Sequence, residues 1–178
     1  MVAGEPAVDE PGAAVKLNLG SADRYVEGWH NVDHEACPHR RDETVDLTGP
    51  LPWPDHSITH VYAGHVLEHL TRDQCLKLLT DLRDRMVPGG QIMVVGPDIE
   101  LAQRLGAGPW HTMDELLHGG KRWPGDEHQW ECTAALVEQL LWDAGWSWVM
   151  DVGIINVDPS WPVVDRVPLW QLAVSATA

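Results

Sequence analysis

The first buried-strand pattern in the chain is Val15-Lys16-Leu17-Asn18-Leu19, and it stops at Gly20. Short apolar runs bounded by turn residues predict strands. Others follow at Trp29 to Asp33, Thr44 to Leu47, Ile58 to Ala63, Gln91 to Val95, Trp146 to Ile155 and Leu169 to Ser175. Helical spacing lies between them. Thr71 and Gln74 form a capping-box pattern, and Cys75, Leu78, Leu79, Leu82 and Met86 then share one face until Pro88-Gly89-Gly90. Thr112 with Glu115 predicts a second, short helix stopped at Gly119-Gly120. Thr133 caps a third, which carries Leu136, Val137, Leu140 and Leu141 and closes at Gly145. Strand, helix and strand joined by short turns predict an α/β domain with a mostly parallel, seven-stranded sheet. Only eight residues separate Gly20 from Trp29. Any helix there is vestigial, so the N-terminal half is predicted to have reduced helices.

Length and charge narrow the picture. The 178 residues suit one domain and one core. Met1 to Ala14 is small, acidic and rich in Pro and Gly, which reads as a disordered leader before a single domain over residues 15–178. Twelve basic against 27 acidic residues give a net charge of −15, which disfavours duplex nucleic acid as a partner. No apolar run approaches the roughly 18 residues of a membrane span, and the first residues lack a signal-peptide pattern. Cys37, Cys75 and Cys132 are odd in number and far apart, so a disulfide framework is not expected and a reducing cytoplasm is. The ten Trp stand beside no Phe at all.

The candidate chemistry starts at the strand ends. Gly20, within Leu17-Asn18-Leu19-Gly20-Ser21-Ala22, would let a ligand approach the backbone where α/β sheets bind ligands. The dinucleotide fingerprint is absent, since Ala22 and Tyr25 occupy its second and third glycine positions. Asp33 ends the second strand, where a carboxylate can accept both hydroxyls of a ribose. Placed on a helix, His65, Glu68 and His69 fall on one side, with Val66, Leu67 and Leu70 on the other. Three readings stay open for that cluster: a structural pair, a base or acceptor-orienting histidine at His65, or a divalent metal site. His34, Cys37 and His39 match no zinc spacing and read as surface. Pro109 to Trp130 reads as a lid, with Asp98 facing the same region.

These segments, with Gly28-Trp29-His30-Asn31-Val32-Asp33, Asp46-Leu47, Leu51-Pro52-Trp53-Pro54-Asp55-His56-Ser57 and Gly96-Pro97-Asp98, resemble the small class I S-adenosylmethionine-dependent methyltransferases. The resemblance runs from about Val15 to Ala178. It implies a Rossmann-like fold and S-adenosylmethionine as cofactor. Asn18, Gly20, Ser21 and Ala22 would form the turn at the methionine end, with backbone N–H groups facing the carboxylate. Asp33 would take the ribose, Asp46 and Leu47 the adenine, and Gly64 and His65 the sulfonium region. Asp46 has a second reading as the cap of the Thr48-Gly49-Pro50 turn. Methyl transfer to a small-molecule or sugar oxygen follows as the expected activity, with His65, Asp98 and His128 as candidates for removing the acceptor proton. The resemblance leaves a divalent ion at His65, Glu68 and His69 as an alternative. Two other functions stay open: a degenerate member acting as a binding module, and a nicotinamide-dependent oxidoreductase. Ala22 replaces a family glycine, and Trp53 and Trp146 stand where the family has Phe, which reads as aromatic exchange in packing.

Overall fold

A computed structural model of the chain describes residues 14–108, 111–122, 124–162 and 169–178. The expected leader up to residue 13, and Pro109, Trp110 and Trp123 of the expected lid, lie outside the described residues. Seven strands form one sheet: β1 Val15–Leu19, β2 His30–Asp33, β3 Glu43–Thr44, β4 Ile58–Gly64, β5 Met86–Pro97, β6 Ser147–Asp151 and β7 Gln171–Thr177. Their order is β3-β2-β1-β4-β5-β7-β6. The first five run parallel, and β7 lies antiparallel to both β5 and β6.

Each predicted helix is present with its predicted cap. α1 spans Arg72–Arg85 behind a complete Thr71–Gln74 capping box, and α3 spans Met113–His118 behind a complete Thr112–Glu115 box. α4 spans Ala134–Asp143, with Thr133 accepting from the Leu136 N–H. One helix escaped the pattern: α2, Ile99–Leu105, capped by Asp98. Its seven residues make fewer than two turns, too short for the apolar Ile99, Leu101, Ala102 and Leu105 to register a helical period.

The strands bury alternate residues on two faces. Leu17, Leu19, Val61, Ala63, Ile92, Val94, Leu172 and Val174 join the main core with Leu78, Leu79 and Leu82 of α1 and Val137, Leu140 and Leu141 of α4. On the other face, Tyr62, Met93, Val95 and Ala173 pack with Ile154, Val157, Trp29 and Trp161, which are loop and 3-10 residues. No helix lies between β1 and β3 among the described residues, as the short connections predicted. Three tryptophans do more than fill space. Trp146, Trp170 and Trp130 donate their indole N–H to the carbonyls of Leu79, Ala107 and Leu67. Phe could supply the ring but not that bond, which revises the reading of Trp146 as simple aromatic exchange.

Candidate active site

The chain leaves β1 toward β2 and β3, then returns to place β4 on the other side of β1. Open α/β sheets bind ligands outside the carboxyl ends of their strands at such a reversal. A cleft of about 1480 Å³ opens there. It exceeds the roughly 300–1,000 Å³ of a pocket for one small ligand, leaving room for two.

Gly20, Ala22, Asp33, Asp46 and Leu47 line one wall. Gly20 has φ +61°, and a Cβ there would meet Val66 Cγ2 at 2.5 Å. Asp33 is buried, and its two oxygens accept the N–H groups of Ala22 and His34, each at 2.7 Å. The carboxylate is thereby fixed at the mouth of the cleft, with lone pairs to spare. Ala22 sits at φ +42°, in the region that costs a side chain about 1–2 kcal/mol. The bond from its N–H to Asp33 holds it there.

Three expectations for this wall need correction. Asn18 and Ser21 do not line the cleft. Asn18 is buried and donates to Arg24 O and Asn31 Oδ1, so it shapes the turn from behind. Ser21 is buried and its N–H bonds to Val32 O. With the Ala22 N–H on Asp33, two of the amides expected to face a ligand carboxylate are already used. Arg24, from the same turn, does line the cleft. Asp46 caps the Thr48 turn, its Oδ1 accepting the Thr48 N–H and hydroxyl at 2.9 and 2.7 Å, and it also lines the cleft. The Thr48 bonds hold its pKa below the ordinary value.

The opposite wall carries Gly64, His65, Glu68, His69, His128 and Gln171. The turn after β4 is not a continuous helix. His65 precedes it with φ +57°, and only Leu67–His69 are helical, of the 3-10 kind. His65 therefore swings away from His69. Its Nε2 meets Gln171 Oε1 at 2.9 Å, and its Nδ1 lies 3.2 Å from Glu68 Oε1. Burial disfavours a charged imidazole, but Glu68 and Gln171 outweigh it and the pKa is raised. Burial likewise works against the Glu68 carboxylate, and the facing histidines overcome it, so its pKa is lowered. Gln171 lay within an apolar strand run, with no local signal of a role.

His69 pairs instead with His128 from the segment after α3, ring centroids 4.9 Å apart and edge to face. Ligating atoms of Glu68, His69 and His128 all lie within 4.8 Å of one another. Glu68 Oε1 has the His65 Nδ1 at 3.2 Å, whereas the buried His69 Nδ1 makes no hydrogen bond among the described residues. The Nδ1 of His128 is 2.8 Å from Leu116 O. A carbonyl only accepts, so Nδ1 carries the proton and the neutral ring keeps its lone pair on Nε2. Burial lowers the His128 pKa.

Asp98 does not reach the cleft. Its Oδ1 accepts the Leu101 N–H and its Oδ2 the Ala134 N–H, so one buried carboxylate caps α2 and ties it to the start of α4. Cys37, expected at the surface, is buried.

The backbone frame matches solved proteins. SibL, an S-adenosylmethionine-dependent methyltransferase, superposes with a TM-score of 0.55 at 17% identity over 93% of this chain and 50% of its own. A Mesorhizobium loti S-adenosylmethionine-dependent methyltransferase gives 0.57 at 15% identity over 96% and 94%. Human N-acetylserotonin methyltransferase, solved with S-adenosylmethionine, gives 0.51 at 16% identity over 94% and 41%. The chain has the class I methyltransferase fold. It spans about half the length of SibL. No family model and no curated protein matches the sequence. The strand order and antiparallel β7 are what the methyltransferase fold contributes; the cleft's side chains are this chain's own. No helix among the described residues is long and apolar enough to cross a membrane.

Proposed function

We propose that the cleft binds S-adenosylmethionine and transfers its methyl group to an oxygen of a small molecule or sugar. The observation that carries this is Asp33, a buried carboxylate pinned by two backbone amides at the tip of β2, beside the strand-order reversal. Spare lone pairs on its oxygens suit two vicinal hydroxyls. Leu47 and Val45 offer an apolar surface to a base, and Asp46 an acceptor for its amine. Arg24 supplies the cation for the amino-acid tail. Net negative charge favours a ligand cationic at sulfur.

Transfer is an in-line displacement, so orientation within the cleft contributes most, about 7–11 kcal/mol in favourable cases. The acceptor must also lose a proton. Of the three candidates, geometry favours His128, which lines the cleft and whose Nδ1–H is held by Leu116 O, leaving Nε2 unprotonated. Both ring nitrogens of His65 face acceptors, and both oxygens of Asp98 cap helices. His65 is the partner that keeps Glu68 ionised.

A second reading rests on His69 Nδ1, which is buried with no hydrogen bond among the described residues, beside the Glu68 carboxylate. With His128 they form a set of two imidazoles and a carboxylate that fits a divalent ion. His128, rather than His65, is the third ligand in that geometry. Such an ion supplies Lewis acidity to an acceptor hydroxyl. Metal analysis of chelator-free protein, with His69→Ala as control, separates the two readings.

The test of function is incubation with cofactor labelled at its methyl group and a panel of catechols, phenols and sugars. Label is expected in one acceptor class, and His128→Ala should abolish most of it. Absence of both S-adenosylhomocysteine binding and transfer would favour a binding module instead.

A further inference from the structure

His128 lies some sixty residues from the turn that carries Glu68 and His69. Two of its own hydrogen bonds run to the α3 end of the molecule: Nδ1 to Leu116 O and its N–H to His118 O. They orient the ring relative to α3, not relative to Glu68. What joins α3 and its following loop to the turn comes from the next two residues. The Gln129 N–H donates to Glu68 O at 2.7 Å, and the Trp130 indole N–H donates to Leu67 O at 3.0 Å. Leu67 O also accepts from the Leu70 N–H and the Cys75 thiol. The indole therefore shares a carbonyl that sits between the turn and α1. Trp130 itself packs against the main core, and the Arg72 guanidinium lies 5.7 Å from its ring centre.

We infer that Trp130 is a positioning residue: its indole N–H clasps the loop after α3 to the Leu67–His69 turn and so sets His128 opposite Glu68 and His69. The catalytic meaning of that clasp rests on the reading of His128 as the base. The clasp itself does not. Without the indole bond the loop keeps the Gln129–Glu68 bond to the turn, whereas the bond to Leu67 O adds a second point that stops the loop pivoting about the first.

Trp130→Phe removes the donor and keeps the aromatic ring. Proton NMR of histidine-labelled protein should show a contact between the His69 and His128 rings in the parent that is lost in the variant. Exchange of the Gln129 amide should quicken by about tenfold, with α4 amides unchanged. The melting temperature should fall by no more than about 4 °C, the effect of one hydrogen bond in a domain of this size. The Kd for S-adenosylhomocysteine should stay within about threefold, because the cofactor wall is untouched. With an acceptor from the panel, kcat should fall about tenfold at unchanged cofactor KM, and the loss should shrink to below about twofold in a His128→Ala background. An intact ring contact with unchanged Gln129 exchange would overturn the inference, as would loosening shared equally by α4. Equal losses of kcat with and without His128 would assign Trp130 a purely structural role and overturn it too. A parent protein that fails to bind S-adenosylhomocysteine would sink the methyl-transfer reading instead, and the ring contact would still decide the clasp.

Discussion

The wall formed within residues 20–48 and the wall formed within residues 64–70, 111–122 and 124–128 with Gln171 meet in one cleft but are built differently. The first uses strand tips, tight turns and one pinned carboxylate, and no helix occurs within its described residues. Its determinants are neighbours across a single parallel strand pair, Asn18 with Asn31 and Leu19 with Val32. The second is an assembly of ionisable side chains from the turn after β4 and a loop after α3, with the Gln171 amide from the start of β7. Its contacts span long separations, His65 to Gln171 and Trp130 to Leu67. A wall made of backbone geometry suits holding a constant ligand. A wall made of side chains from separate elements suits a variable one and the chemistry done on it.

If the walls divide the work, damage to one should spare the other. The largest effect is expected from His128→Ala: the transfer rate should fall about 10²–10⁴-fold while calorimetric affinity for S-adenosylhomocysteine holds within about threefold. Asp33→Ala should do the reverse. Loss of two hydrogen bonds to a charged group should weaken that affinity about 100-fold by calorimetry, with saturating kcat much less affected.

Smaller changes sharpen the contrast. Ala22→Gly should relieve the strain at φ +42°. Net of the entropy glycine adds to the unfolded chain, it should raise the melting temperature by about 2 °C without lowering cofactor affinity. The other wall has its own signature in pH. Glu68 has a lowered pKa, so its contribution is present above 4.5, the ordinary value, and fades as pH falls through the lowered one. His65 has a raised pKa, so its contribution is complete below 6.5 and fades as pH rises through the raised value. Thermal melts should therefore show the pair's full stabilisation between pH 4.5 and 6.5, and His65→Gln should flatten the alkaline limb.

The same division explains what could be read from the chain. The fold follows from local patterns. Short apolar runs located the strands, although β5 begins five residues before the expected Gln91 and β6 ends four before the expected Ile155. Thr71, Thr112 and Thr133 marked three helix starts because a cap and the N–H that donates to it are neighbours in sequence. Asp33 and Gly20 were legible for the same reason, each standing at a strand end. The second wall was not. Reading residues 65–70 as one helix put His65 beside His69, whereas positive φ at His65 separates them, and no pattern announces positive φ at a histidine. Nor could spacing show that His128 returns to His69, or that both oxygens of Asp98 meet amides of two different helices. Trp130 was hidden among ten tryptophans, since composition does not separate a ring that packs from an indole that donates.

The most direct measurement is a diffraction structure of the protein with S-adenosylhomocysteine. The account predicts both ribose hydroxyls within about 3 Å of the Asp33 carboxylate, the base against Leu47, and the sulfur pointing toward the wall that carries His128. A nucleoside bound elsewhere, or one whose ribose leaves Asp33 untouched, would contradict it.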